Sequence, residues 1–173
     1  MTSMSSDVLV VLTRELDGFT RELELFPDDK SVWRTVPGVT NSAGNLALHV
    51  SGGLQYLIGA VLGGTGYVRN RDAEFGRGSG ARSEVIVELD RATAVVREVL
   101  PQLSDSALAA DFPEPMLGVR VRTGRFLLHL CAHAAFHLGQ AGYLRRAMTG
   151  SSATSGPLPL GPLSRDEASS LRS

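Results

Sequence analysis

Four stretches of this chain repeat their apolar residues every three or four positions, and that period restricts the fold more than any other feature. With successive residues placed about 100° apart around an axis, Val8, Leu12, Leu16, Phe19, Leu23 and Phe26 fall within an arc of roughly 80°. Arg14, Glu15, Arg21 and Glu22 lie elsewhere on that wheel, so residues 6–26 read as an amphipathic helix. A second helix, 43–62, groups Leu46, His49, Val50, Gly53, Leu57 and Ala60 on one side. The third, 83–103, groups Val85, Leu89, Ala92, Val96, Val99 and Leu103, with Pro101 ending or kinking it. A fourth runs over 124–148, with Thr123 as its N-cap. Four such segments and little else predict an all-α protein, a four-helix bundle whose loops of about 20 residues permit a crossover connection.

The connections carry their own signals. Pro27-Asp28-Asp29 stops the first helix, and Val36-Pro37-Gly38 leads to Asn41-Ser42, candidate N-caps of the second. Gly63-Gly64-Thr65-Gly66 ends the second helix and opens a glycine-rich, charged stretch, 63–82, which reads as a long flexible connection without an element of its own. Its G-x-G spacing follows no strand and lacks a phosphate-loop lysine, so it is no nucleotide cradle. Interior glycines of the second helix, Gly52, Gly53 and Gly59, call for a close helix neighbour or a ligand. Residues 111–122 read as a short edge strand or an extended loop. Beyond Gly150 the Ser, Gly and Pro content marks a tail, dividing the chain into a bundle domain, 1–150, and a tail, 151–173.

All four histidines lie on the second and fourth helices. On a wheel with Phe126 at zero, His133 falls near 340° and His137 near 20°, the centre of the buried stripe, while His129 falls near 300° on its flank. Imidazoles four residues apart on one face can converge on one metal ion, whereas His129 and His137, separated by a rise of about 12 Å, cannot. A third ligand must come from another helix, and His49, facing inward among Leu46, Val50 and Gly53, is the histidine available. Three imidazoles aimed into one apolar core are hard to satisfy without an ion. His133-Ala134-Ala135-Phe136-His137 lacks the glutamate of the helical protease motif, so no protease is inferred. Gln140, one turn beyond His137, reads equally as a residue that orients a ligand or a water and as one that caps a polar gap. Cys131 points near 140°, away from the histidines, as a small apolar residue. Tyr56, Tyr143 and Trp33 read as packing aromatics first and as the lining of a cleft second.

Composition narrows the partners. The 173 residues suit one domain, and 17 basic against 18 acidic residues give a net charge of −1, without the broad positive field of a nucleic-acid binder. Apolar stretches are interrupted by His, Gly, Gln or Arg well before about 18 residues, so no membrane span is expected. The single cysteine excludes an internal disulfide and suits a reducing compartment, the cytoplasm.

Asn45-Leu46-Ala47-Leu48-His49, His133-Ala134-Ala135-Phe136-His137-Leu138-Gly139-Gln140 and the trailing Tyr143-Leu144-Arg145-Arg146 together resemble the DinB-like (DinB/YfiT) superfamily of metal-dependent four-helix proteins. The resemblance covers about residues 5–150. It implies a metal held by one histidine of the second helix and two of the last, matching His49, His133 and His137. The implied cofactor is a divalent transition metal, zinc or nickel ahead of iron or copper. The implied partners are a small-molecule thiol and an electrophile, and homodimerisation follows by the same likeness. One related branch, the mycothiol-dependent maleylpyruvate isomerase, has a glutamate where this chain has His133, so that activity is not carried over. Three neutral imidazoles leave an open coordination position, which suits thiol S-transfer first and hydrolysis second. A non-catalytic metal-binding stress module is the contrasting expectation. No general base is assigned.

Overall fold

Met4–Glu24 forms α1, and the expected stripe Val8, Leu12, Leu16, Phe19 and Leu23 is its buried side. The structure, a computed structural model, describes residues 4–155 and 160–163. Asp28 caps the four-residue α2, Asp29–Val32, through a box in which Ser31 N donates to Asp28 Oδ1 at 2.7 Å. Ser42 caps the next helix in the same way, Asn45 N donating to Ser42 Oγ at 3.2 Å and Ser42 N to Asn45 Oδ1 at 3.1 Å. That helix, α3, spans Ala43–Gly63 with a π turn over Gln55–Ala60.

Residues 64–81 depart from the expected featureless connection. They contain a helix, α4, Arg71–Gly76, whose N-cap Asn70 accepts from Ala73 N at 3.0 Å. α5 follows over Arg82–Val99 with Val85, Leu89, Ala92, Val96 and Val99 buried. It ends four residues earlier than the apolar period suggests, because Pro101 turns the chain into a 3₁₀ turn at Leu100–Gln102. A short α6, Asp105–Ala109, had no counterpart in the sequence reading. Residues 111–122 make an irregular hairpin with isolated bridges Asp111–Arg122 and Met116–Val119, so the extended-loop alternative holds and no strand is present among the described residues. Its tip turns at Leu117 and Gly118, with φ of 51° and 80°. The last helix, α7, covers Thr123–Thr149. Thr123 is its first residue rather than its cap; Arg122 holds the cap position without a side-chain bond.

The four long helices form a ring in which α1 touches α5 and α7, and α3 touches the same two from the opposite corner. Their directions follow from the contacts. Arg82 Nη1, at the start of α5, donates to Phe26 O just past the end of α1 at 2.7 Å, so these two run antiparallel. Glu22 and Arg145 pair near the ends of α1 and α7, which therefore run parallel. Gln55 Nε2 donates to Glu88 Oε2 at 3.1 Å, and Gly59 and Gly63 lie against Val95 and Val99, making α3 and α5 parallel neighbours. The bundle is thus up-down-down-up. Parallel neighbours oblige residues 64–81 to travel back along the length of α3, which carries α4 past the middle of that helix. α3 is long and apolar enough to cross a membrane, against expectation, but most of it is buried inside the bundle and it serves as the core helix. Residues 156–159 and 164–173 of the expected tail lie outside the described residues.

Candidate metal centre

His49 is buried on α3, while His133 and His137, one turn apart on α7, are half-buried. Antiparallel packing of those two helices brings the three rings together: His49 Nε2 lies 3.3 Å and His137 Nε2 lies 3.1 Å from His133 Nε2. All three donor atoms fall within 4.8 Å of one another. The histidine pair does not occupy the centre of the buried stripe. Leu127, Leu130, Ala134, Leu138, Ala141 and Arg145 form that stripe, and the two imidazoles stand on its shoulder, where the bundle opens to solvent.

Two of the rings have fixed tautomers. His49 Nδ1 is 3.1 Å from Glu74 Oε2, and a carboxylate only accepts, so Nδ1 carries the hydrogen and Nε2 presents a lone pair. Arg69 Nη2 lies 3.0 Å from the same nitrogen, but as a donor it cannot bond to a protonated Nδ1. It donates instead to Glu74 Oε2 at 2.8 Å, beside Arg69 Nε on Oε1 at 2.7 Å. His137 Nδ1 donates to Gln140 Oε1 at 2.7 Å, which aims a second Nε2 lone pair at His133. A neutral His133 has one ring hydrogen and can satisfy only one of them.

A cation satisfies all three nitrogens at once. Ligands about 2.0–2.1 Å from a tetrahedral centre stand about 3.3–3.4 Å apart, close to the two separations found here. The cluster therefore fits a divalent metal site. Its electrostatics agree: burial first, then the neighbouring histidines and Arg69, lower His133 to about 4. Burial also lowers His137, partly offset by its bond to Gln140. Both shifts favour the neutral form of His133 and His137, the form in which an imidazole can ligate a cation.

Glu74 and Arg69 are the residues that sequence reading missed. Burial alone would raise the Glu74 carboxyl, yet bonds from His49 and Arg69 hold it below the usual carboxylate range. Asn45 pins its segment to α3, the side-chain amide donating to Glu74 O at 2.9 Å and Arg77 O at 2.7 Å. A Cβ on Gly52 would collide with the Glu74 carboxylate, so the close neighbour expected for that glycine is a side chain of the crossover. Gly52, with Gly53 against Arg69 beside it, was the local signal that something packs there.

His129 is exposed, stacked on Phe126 at 5.9 Å between ring centroids and outside the cluster. Cys131 is half-buried away from the rings, and burial pushes its thiol up to about 11. Tyr56 donates to Glu114 at 3.0 Å. Trp33 braces the crossover, its Nε1 donating to Gly80 O at 2.8 Å. Tyr143 does line a cleft, a cavity of about 470 Å³ that also includes Gln140, Leu46 and Leu144.

A family model for the DinB superfamily matches residues 12–141, a span containing all three histidines. The chain belongs to the DinB superfamily. Comparison with curated proteins gives no significant match. In this DinB protein the matched region runs from α1 into α7, so it includes the crossover that supplies Glu74 as well as the helices that supply the imidazoles.

Proposed function

We propose that this DinB-superfamily protein is a metal-dependent enzyme that activates a low-molecular-weight thiol for transfer to an electrophile. His49, His133 and His137 would hold the metal, zinc or nickel in the first instance. A divalent cation on three neutral imidazoles lowers the pKa of a thiol or water at its remaining position and so supplies a nucleophile near neutral pH. The chain's own part is positional. Glu74 and Gln140 keep two Nε2 lone pairs aimed inward. In the transfer, the thiol sulfur forms the new bond to carbon, the leaving group departs with the old bonding pair, and the thiol proton passes to solvent.

The convergence of three imidazoles, two with their tautomers fixed, carries this reading. Three protein ligands support an open site, since structural zinc usually closes all four positions. Transfer over hydrolysis is supported by space on both sides. One cavity of about 470 Å³ adjoins Gln140, and another of about 550 Å³ adjoins His49, His129 and His133, room for a thiol and a second substrate. The lone, unactivated cysteine fits a cytoplasmic protein.

The test is metal analysis of tag-free protein followed by turnover of monochlorobimane with a panel of thiols. About one ion per chain, lost in His133→Ala, with thiol-dependent turnover above the uncatalysed rate, is the expected result. Ester cleavage without thiol dependence would replace transfer by hydrolysis, and bound metal with no turnover would leave a non-catalytic module.

A further inference from the structure

The 550 Å³ cavity beside the histidines has an unusual charge pattern. Its walls are apolar residues of α3 and α7, among them Leu54, Leu57, Phe126 and Leu130, with the hairpin tip Met116-Leu117 above them. Its charged lining consists of Arg69 and Arg71, its remaining titratable lining of His49, His129 and His133, and among the described residues no acidic one faces it. The two arginines differ. Arg69 is committed to Glu74 by the two bonds described above. Arg71 is exposed, rests over the Phe75 ring with 5.1 Å from guanidinium to centroid, and forms no ion pair among the described residues. Nearby carboxylates are occupied: Glu74 by Arg69 and His49, Glu114 by the Tyr56 hydroxyl.

We infer that this cavity takes an apolar molecule ending in a carboxylate, with Arg71 receiving the carboxylate and the apolar body lying along Leu54, Phe126 and Leu130 toward the histidines. A single free guanidinium matches a carboxylate in geometry, through paired N–H donors, and in charge. The absence of acidic lining removes the repulsion that would otherwise exclude an anion. This deepens the transfer reading by naming the electrophile's class, and rests on it only for the ligand's role as substrate.

The experiment is calorimetric titration with 4-phenylbutyrate and its uncharged counterpart 4-phenylbutanamide, on metal-loaded protein and on the same protein stripped by chelator. The acid should bind on the order of tenfold tighter than the amide in both forms. Arg71→Gln should erase most of that preference, Arg71→Lys should keep part of it, and Arg125→Gln, an exposed arginine of α7, should leave it intact. Equal affinity for acid and amide overturns the inference, as does a preference indifferent to Arg71→Gln. A preference confined to metal-loaded protein also overturns it, because the carboxylate is then held by the ion. Since the stripped form reports on the cavity's own side chains without the ion, failure of the transfer reading leaves this result standing, and the reverse.

Discussion

At the scale of single residues, Glu74 decides which nitrogen of His49 faces the cluster. Without its carboxylate, Arg69 Nη2, already 3.0 Å from Nδ1, becomes that atom's donor, and the ring hydrogen moves to Nε2, where a metal would bind. Glu74→Ala should therefore weaken metal binding about 10- to 100-fold in competition with a chromophoric chelator. Adding Arg69→Ala should recover part of the loss, which a purely packing role for Glu74 would not allow. His133 supplies a pH prediction. Its folded value of about 4 lies below the ordinary 6.5, so on acidification the unfolded chain takes up the proton first. Metal-free protein is then fully stable, as far as this group goes, above about pH 6.5, and loses that contribution as pH falls toward about 4. Thermal melts of stripped protein between pH 7 and 4.5 should show a larger drop in Tm for wild type than for His133→Gln.

Among the elements, α3 owes its place to what it lacks. An alanine at Gly59 would put its Cβ 2.8 Å from Val95 Cγ1 and 3.0 Å from Thr65 Oγ1, closer than ordinary contact. Exposed Gly139 in α7 has nothing within 4 Å of the same position. Gly139→Ala should raise stability by about 0.5–1 kcal/mol through helix propensity, whereas Gly59→Ala should lower it despite the same propensity gain. Urea unfolding of the two variants makes the comparison. The long helices were legible because their apolar stripes recur with the helical period. α4 was not, since its six residues hold no stripe and its packing follows from the parallel course of α3 and α5. The histidine shoulder was misjudged for a related reason: Phe126, Leu130 and Leu144 set the wheel, while Ala134 and Ala141, small yet fully buried, mark the true centre.

At the scale of the whole molecule, a buried ion pair joins α1 to α7, one of the bundle's two parallel pairs. Arg145 is 0% exposed, donates from Nε to Glu22 Oε1 at 2.5 Å, and also reaches Ala153 O, while Ser155 N donates to Glu22 Oε2 at 3.1 Å. The first tail residues are therefore laid on the body by the same pair that ties α1 to α7. Removing one partner strands a buried charge, so Arg145→Met or Glu22→Gln should each cost about 3–5 kcal/mol in urea unfolding. Arg145→Met with Glu22→Leu should cost less than either alone. Sequence placed Arg145 in a trailing motif but gave no partner, because the glutamate that neutralises it stands 123 positions away.

The up-down-down-up order has a further effect on how the centre comes into being. Two of its imidazoles share one rigid helix, yet the third is oriented by a strap that packs on α3 and leads from its end back to the start of α5. A nick near residue 65 would therefore spare the four long helices but loosen the carboxylate that aims His49, so the bundle would keep its shape and grip its cation poorly.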